Sequence, residues 1–171
     1  MCGVVGIIST QKAVAGELYE SLIHLQHRGQ DAAGMMTYNK RFHEKKGTGY
    51  IRDIFDERNM ARLQGRVGIG HTRYPTVGGF SIEEAQPVMT HVPYGIAMAH
   101  NGNLVNYTDL VNEVYEQNHR LINSSVDIEV ILHIFAHALD HPKSNIKNLS
   151  FFDQICQAVD TVFHRASGAY S

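Results

Sequence analysis

The sequence has no tryptophan, only two cysteines and four prolines in 171 residues, and no surplus of positive charge. Cys2 and Cys156 stand far apart with no repeated spacing, which excludes a disulfide framework and a paired-cysteine zinc site. Fifteen Lys and Arg against seventeen Asp and Glu, with no basic run longer than a pair such as Lys45-Lys46, leave nothing to neutralise a phosphate backbone, so nucleic acid is not an expected partner. No apolar stretch approaches the roughly 18 residues of a membrane span. Met1-Cys2 leads into a short apolar run without a basic leader, so the expected location is the cytoplasm, with no membrane partner. Without a leader, the glycosylation-type triplets at Asn106, Asn123 and Asn148 are chance. Repeats, low-complexity tracts and Pro/Gly/Ser-rich linkers are missing too, which favours one domain. What is present, 43% hydrophobic and 19% charged residues, suits a soluble globular chain. At this length it buries roughly 70% of its unfolded surface and needs no disulfide or metal to hold a core.

The chain opens with a β-branched run, Val4 to Ile8, interrupted by Gly6 and read as a buried strand. Val14, Leu18, Leu22 and Leu25 then recur at helical spacing between Lys12 and Gln26, ahead of His27-Arg28-Gly29. Residues 33–38 and 42–46 flank the turn residues Asn39-Lys40 as a hairpin. A helix is predicted over 53–63, and short strands at 67–69 and 96–99 run into the polar triplets His71-Thr72-Arg73 and His100-Asn101-Gly102. Strand ends that deliver polar groups are common seats of chemistry. Helices are predicted over 108–117, 125–139 and 153–164, the second with Ile128, Ile131, Leu132, Phe135 and Leu139 on its apolar face. Strands grouped early and helices grouped late indicate an α+β class.

Cys2 combines two functions if Met1 is removed. Its α-amine, with an ordinary pKa of about 7.7 to 8.0, can take the proton of its own thiol, so that one residue supplies both nucleophile and base. The plainer reading is a small residue that starts a strand. Cys2-Gly3-Val4-Val5-Gly6-Ile7 is accompanied by LQHRGQDAAGM, GHTRYPTVGG, EAQPV and AHNGNLVN, in that order and without large insertions. Together these stretches resemble the glutaminase domains of the amidophosphoribosyltransferases, which belong to the N-terminal-nucleophile hydrolases, and the resemblance runs from Cys2 to the last residue.

The resemblance implies a four-layer αββα sandwich of two antiparallel sheets between helix layers, over residues 2–171. It implies a Cys2 thiolate that attacks the side-chain amide of L-glutamine, releases ammonia and leaves a thioester for water to hydrolyse. Asn101 and Gly102 match the donors for the tetrahedral oxyanion. An Asn amide supplies N–H groups and a glycine lets its main-chain N–H come close, although a bare Asn-Gly pair also reads as a turn. The matching arginine and aspartate, Arg73 and Asp127, bind the α-carboxylate and α-ammonium of glutamine. A surface arginine, and a first-turn acid behind a Ser124 or Ser125 cap, are the structural readings of the same residues. Tyr74, Thr76 and their neighbours through Gly79 match a loop that closes over the substrate, and Arg28 and Gly29 are expected near the nucleophile, where a positive charge favours a thiolate.

Val126 and Ile128 depart from the small hydroxyl residues usual around the matching aspartate, which implies a differently shaped ammonium site. The domain is expected to be incomplete at its C-terminus, with the last residues as half a strand. The phosphoribosyltransferase domain of the family, and the Mg2+ expected there, are expected to lie outside this stretch. No cofactor is expected in this domain, and the full-length enzymes of the family are expected to be homo-oligomers. Rival readings are the glutaminase domains of glucosamine-6-phosphate synthase or glutamate synthase, an inactive interaction piece, and a metal-binding module. The last rests on 11 histidines, with His133, His137 and His141 at i, i+4, i+8 on a helix face expected to be solvent-exposed, opposite the apolar one. Cys156 is expected to pack on the flank of the last helix.

Overall fold

The computed structural model describes residues 2–74, 81–142 and 149–171. Within them the chain falls into two units, residues 1–88 with 97–101 and 171, and residues 89–96 with 102–170. The α+β class and the antiparallel pairing of strands are as expected from the sequence.

In the first unit, β1 (Gly3–Ile8), β2 (Ala32–Tyr38), β3 (Phe42–Thr48) and β4 (Val67–Arg73) form one antiparallel sheet in the order β1-β4-β2-β3. β4 runs four residues further than its apolar run predicts. It is hydrogen-bonded on both sides, to β1 through Gly3↔Thr72 and to β2 through Ala32↔Arg73, and this double ladder carries His71, Thr72 and Arg73 as strand despite their polarity. Helix α1 (Ala15–Leu25) covers the sheet. Leu18 and Leu22, four residues apart and so on one face, are completely buried against β4, where Gly68 and Gly70 offer no side chains. A Cβ on Gly68 would lie 2.7 Å from Leu18 Cδ1, which is how the helix comes so close. Each leucine contributes roughly 1.5–3 kcal/mol through burial.

The single helix expected over 53–63 is two short ones, α2 (Ile51–Ile54) and α3 (Glu57–Arg62). Asp56 breaks the run: its extended backbone and its carboxylate, which accepts the Asn59 N–H at 2.6 Å, make it the N-cap of a new helix. β5 (Val88–Thr90) and β6 (Ile96–Met98) form a two-stranded pair, and of these only β6 was legible as a strand.

In the second unit, β7 (Gly102–Leu104) pairs antiparallel with β8 (Gly168–Tyr170), and three helices lie between them in sequence: α4 (Tyr107–Asn118), α5 (Asp127–Asp140) and α6 (Phe151–Arg165). A capping box between Ser150 and Asp153 starts α6 two residues before its predicted start. α5 packs against both α4 and α6. Its buried residues therefore extend beyond the predicted face to Glu129, Val130, Ile134 and Ala136, while Phe135 is only half-buried. A helix covered from two sides has little solvent face left for histidines.

Candidate active site

The end of the first unit's sheet holds Cys2 through its main chain. The Cys2 nitrogen donates to Asn101 Oδ1 at 3.2 Å, and the Cys2 carbonyl accepts from Arg28 Nε at 3.1 Å. The next N–H, that of Gly3, donates to Thr72 Oγ1 at 3.1 Å. The half-buried thiol lies 3.9 Å from the Tyr74 carbonyl oxygen, a long S–H contact. With Oδ1 accepting from the nitrogen of Cys2, the Asn101 Nδ2 hydrogens are available to donate to another group.

Asn101 is anchored from behind. The Asn101 N–H and carbonyl pair with the carbonyl and N–H of Ser171 at 3.0 and 3.1 Å. One residue earlier, the His100 N–H donates to Gln86 Oε1 at 2.8 Å, and the His100 carbonyl accepts from His71 Nε2 at 3.1 Å. His71 is completely buried on β4, and its Nδ1 has no partner among the described residues. A carbonyl can only accept, so the ring proton is on Nε2, and a second proton on Nδ1 would find no acceptor. Burial pushes the His71 pKa down to about 3, against the raising effect of its bond to the His100 carbonyl. This imidazole is a neutral strut.

Arg73 ends β4, largely covered, with Nη1 2.7 Å from Glu84 Oε2 and 2.9 Å from the Glu84 carbonyl oxygen. Gly29 lies against its backbone. A Cβ there would sit 2.6 Å from the Arg73 carbonyl carbon, closer than any side chain tolerates. The Asp31 N–H, just beyond, donates to the Arg73 carbonyl at 3.2 Å. The glycine of the HRGQD stretch thus fastens the loop that carries Arg28 to the strand that carries Arg73.

In the second unit, Gly102 pairs with Tyr170 at the start of β7. Asp127 opens α5, and its Oδ2 accepts the Leu104 N–H at 3.0 Å, which ties the start of the helix to the end of β7. A carboxylate in the first turn also complements the helix dipole. The helix is not capped by Ser124 or Ser125. Val126 stands at the N-cap, while the buried Glu129 accepts the N–H groups of Asn123 at 2.9 Å and Ser124 at 2.8 Å, together with the Ser124 hydroxyl. The carboxylate at the third helical position thus holds the N–H groups of the two earlier residues, while the Ser124 Oγ accepts the Val126 N–H at 3.4 Å.

A family model described as "Glutamine amidotransferase domain" matches residues 55–147, more than half of the chain. The chain belongs to the glutamine amidotransferase domain family. Among its relatives, the amidophosphoribosyltransferase of Pseudomonas aeruginosa is 45% identical over the whole chain and that of Saccharomyces cerevisiae 42%, and the chain spans 34% of each. The Escherichia coli amidophosphoribosyltransferase is 49% identical over 82% of the chain, which corresponds to 28% of that protein. The chain therefore spans about a third of the length of the curated relatives it matches. A solved structure described as the allosteric regulatory enzyme of purine biosynthesis superposes with a TM-score of 0.77 at 32% identity, covering 100% of this chain and 34% of its own. The glutamine phosphoribosylpyrophosphate amidotransferase of Bacillus subtilis, solved with ADP and GMP, gives 0.75 at 30% identity over 99% of this chain and 34% of its own. These relatives are not glucosamine-6-phosphate synthases or glutamate synthases, the two rivals within the same chemistry.

For a glutamine amidotransferase domain, the residues singled out by sequence fall into two groups. Cys2, Arg28, Gly29, Arg73, Tyr74 and Asn101 belong to the first unit, and Gly102 and Asp127 to the second. Thr76 lies outside the described residues. The sequence reading missed the supports: Thr72 holds Gly3 next to Cys2, His71 and Gln86 hold the segment before Asn101, and Glu84 holds Arg73. Gln86 and Glu84 lie in the EAQPV stretch, whose presence was legible but whose reach was not. The expected exposure of the three histidines holds for His141 and is corrected for His133 and His137, which are partly buried, and burial, helped by the Arg120 charge, lowers both of their pKa values. No three His, Cys, Asp or Glu among the described residues form a group able to hold a metal ion. Cys156 is exposed on α6 rather than packed.

Proposed function

We propose that this chain is the glutaminase part of an amidophosphoribosyltransferase, with Cys2 as its nucleophile. After loss of Met1, the Cys2 α-amine takes the thiol proton and the thiolate attacks the side-chain amide carbon of L-glutamine. The C–N bond breaks, ammonia leaves with the proton returned by the α-ammonium, and water hydrolyses the thioester to glutamate and free thiol. Asn101 Nδ2 and the Gly102 N–H stabilise the oxyanion. Arg73 takes the substrate α-carboxylate and Asp127 its α-ammonium, while Tyr74 and Thr76 contribute to closure over the substrate. Arg28 fixes the Cys2 carbonyl and places positive charge beside the nucleophile.

The observation that carries this reading is the bond from the Cys2 nitrogen to Asn101 Oδ1. It ties the proposed base and the proposed oxyanion donor to each other at the start of β1. In the whole protein, ammonia displaces pyrophosphate from phosphoribosylpyrophosphate to give 5-phosphoribosylamine, the first committed step of purine synthesis. That half-reaction, the Mg2+ it uses, homo-oligomer formation and a cytoplasmic location are assigned to the whole protein from its family, and no residue of this chain is assigned to the metal. The test is to incubate purified, Met1-processed chain with glutamine and measure glutamate and ammonia. Equal amounts of both, at a rate above that of the Cys2→Ala variant, are expected, and no glutamate above that background would overturn the assignment.

A further inference from the structure

The guanidinium of Arg73 has a defined orientation before any substrate arrives. Both of its contacts to Glu84, at 2.7 Å to Oε2 and 2.9 Å to the main-chain oxygen, use Nη1. The Arg73 and Glu84 side chains are 12% and 9% exposed, so this is a covered ion pair and not a passing surface contact. A guanidinium offers a carboxylate two parallel N–H pairs, one from Nη1 and Nη2 and one from Nε and Nη2. Glu84 engages Nη1 with a side-chain and a main-chain oxygen, so the Nε–Nη2 edge is the intact fork.

We propose that Glu84 is a positioning residue for substrate recognition: it holds Arg73 so that the Nε–Nη2 edge receives the α-carboxylate of glutamine. This rests on the reading of the chain as a glutaminase with Arg73 at the carboxylate site. Glu84 is well placed for the task. It ends the 3-10 turn Ile82–Glu84, and two residues later Gln86 accepts the His100 N–H beside Asn101, so one short segment braces both the arginine and the strand end with the oxyanion donor. The pair also supplies the counter-charge that a covered guanidinium needs when no substrate is bound. Selectivity follows from the fork: a planar α-carboxylate satisfies both N–H groups, whereas an amide lacking that carboxylate leaves them unpaired.

The test compares two electrophiles on Cys2, followed by intact mass. The first, 6-diazo-5-oxo-norleucine, carries the α-carboxylate and α-ammonium of glutamine, and iodoacetamide carries neither. In Glu84→Gln, which keeps shape and an acceptor oxygen but loses the charge, the half-saturating concentration of the glutamine analogue is expected to rise about tenfold, with its limiting rate within about twofold. The iodoacetamide rate should stay within about twofold, and Glu84→Asp should recover part of the affinity. An unchanged half-saturating concentration would overturn the proposal. A lowered one would also overturn it, by showing that Glu84 competes for the carboxylate site. An equal fall in reactivity toward both reagents would assign Glu84 a purely structural role. Wild-type chain that reacts with iodoacetamide but never saturates with the analogue would instead overturn the underlying glutaminase reading.

Discussion

Cys2 and Cys156 carry the same thiol in opposite surroundings. Cys2 is half-buried at the head of a strand, with its nitrogen held by Asn101, its carbonyl by Arg28 and the following N–H by Thr72. Cys156 is exposed on α6, and no hydrogen bond reaches it from the described residues. Accessibility alone would favour Cys156 as the reactive thiol. The difference lies in what holds each residue: fixed polar partners on the main chain around Cys2, with the Tyr74 carbonyl 3.9 Å from its sulfur, and bulk water around Cys156. Preorganised polar groups stabilise a developing charge because they need not reorient during the reaction, and solvent does not offer that.

The strongest way to break the comparison is Cys2→Ala, which is expected to abolish glutamine hydrolysis; activity surviving through Cys156 would refute it. Asn101→Ala comes next. Loss of one oxyanion donor is expected to lower kcat about 100- to 1000-fold with KM changed only a few-fold, measured by steady-state glutamate release. A KM effect alone would make Asn101 a binding residue and not a transition-state donor.

A smaller effect concerns the strut behind Asn101. The unfolded chain protonates His71 near its ordinary 6.5, whereas the folded chain holds it at about 3. Between those values the unfolded state binds the extra proton, so stability from this group is fully present above pH 6.5 and declines as pH falls toward 3, by about 1.4 kcal/mol per pH unit. The partly buried His133 and His137, with lowered pKa values, act in the same direction. Urea denaturation between pH 7 and 5 should show this slope, and His71→Gln should reduce it; an unchanged slope would mean that His71 titrates normally in the folded chain. The smallest expectation is for Cys156→Ser, with kcat/KM within about twofold of wild type and an unchanged melting temperature, as usual for an exposed position.

Much of this was legible in the sequence, and the boundary is physical. Cys2, Arg73 and Asn101 stand in short motifs, whereas Asp127 was read only from the resemblance, and the strands and helices that carry these residues follow from apolar spacing. Long-range partners were not legible. Nothing in the spacing of His71 and His100 says that one ring donates to the other's carbonyl, and nothing in EAQPV says that Glu84 turns back to Arg73. His133 and His137 failed for the opposite reason: the i, i+4, i+8 pattern they share with the exposed His141 is clear, but a periodicity read from one helix does not show that α4 and α6 cover it from two sides. Asp56 was readable as a cap and would have divided the 53–63 helix had its acceptor been weighed against the apolar spacing.

The most direct test of the account is the mass of the Met1-processed chain after exposure to 6-diazo-5-oxo-norleucine. A single adduct on Cys2, slowed by glutamine and absent in Cys2→Ala, is the predicted result. An adduct on Cys156, or labelling that glutamine does not slow, would show that the polar frame around Cys2 is not a glutamine site.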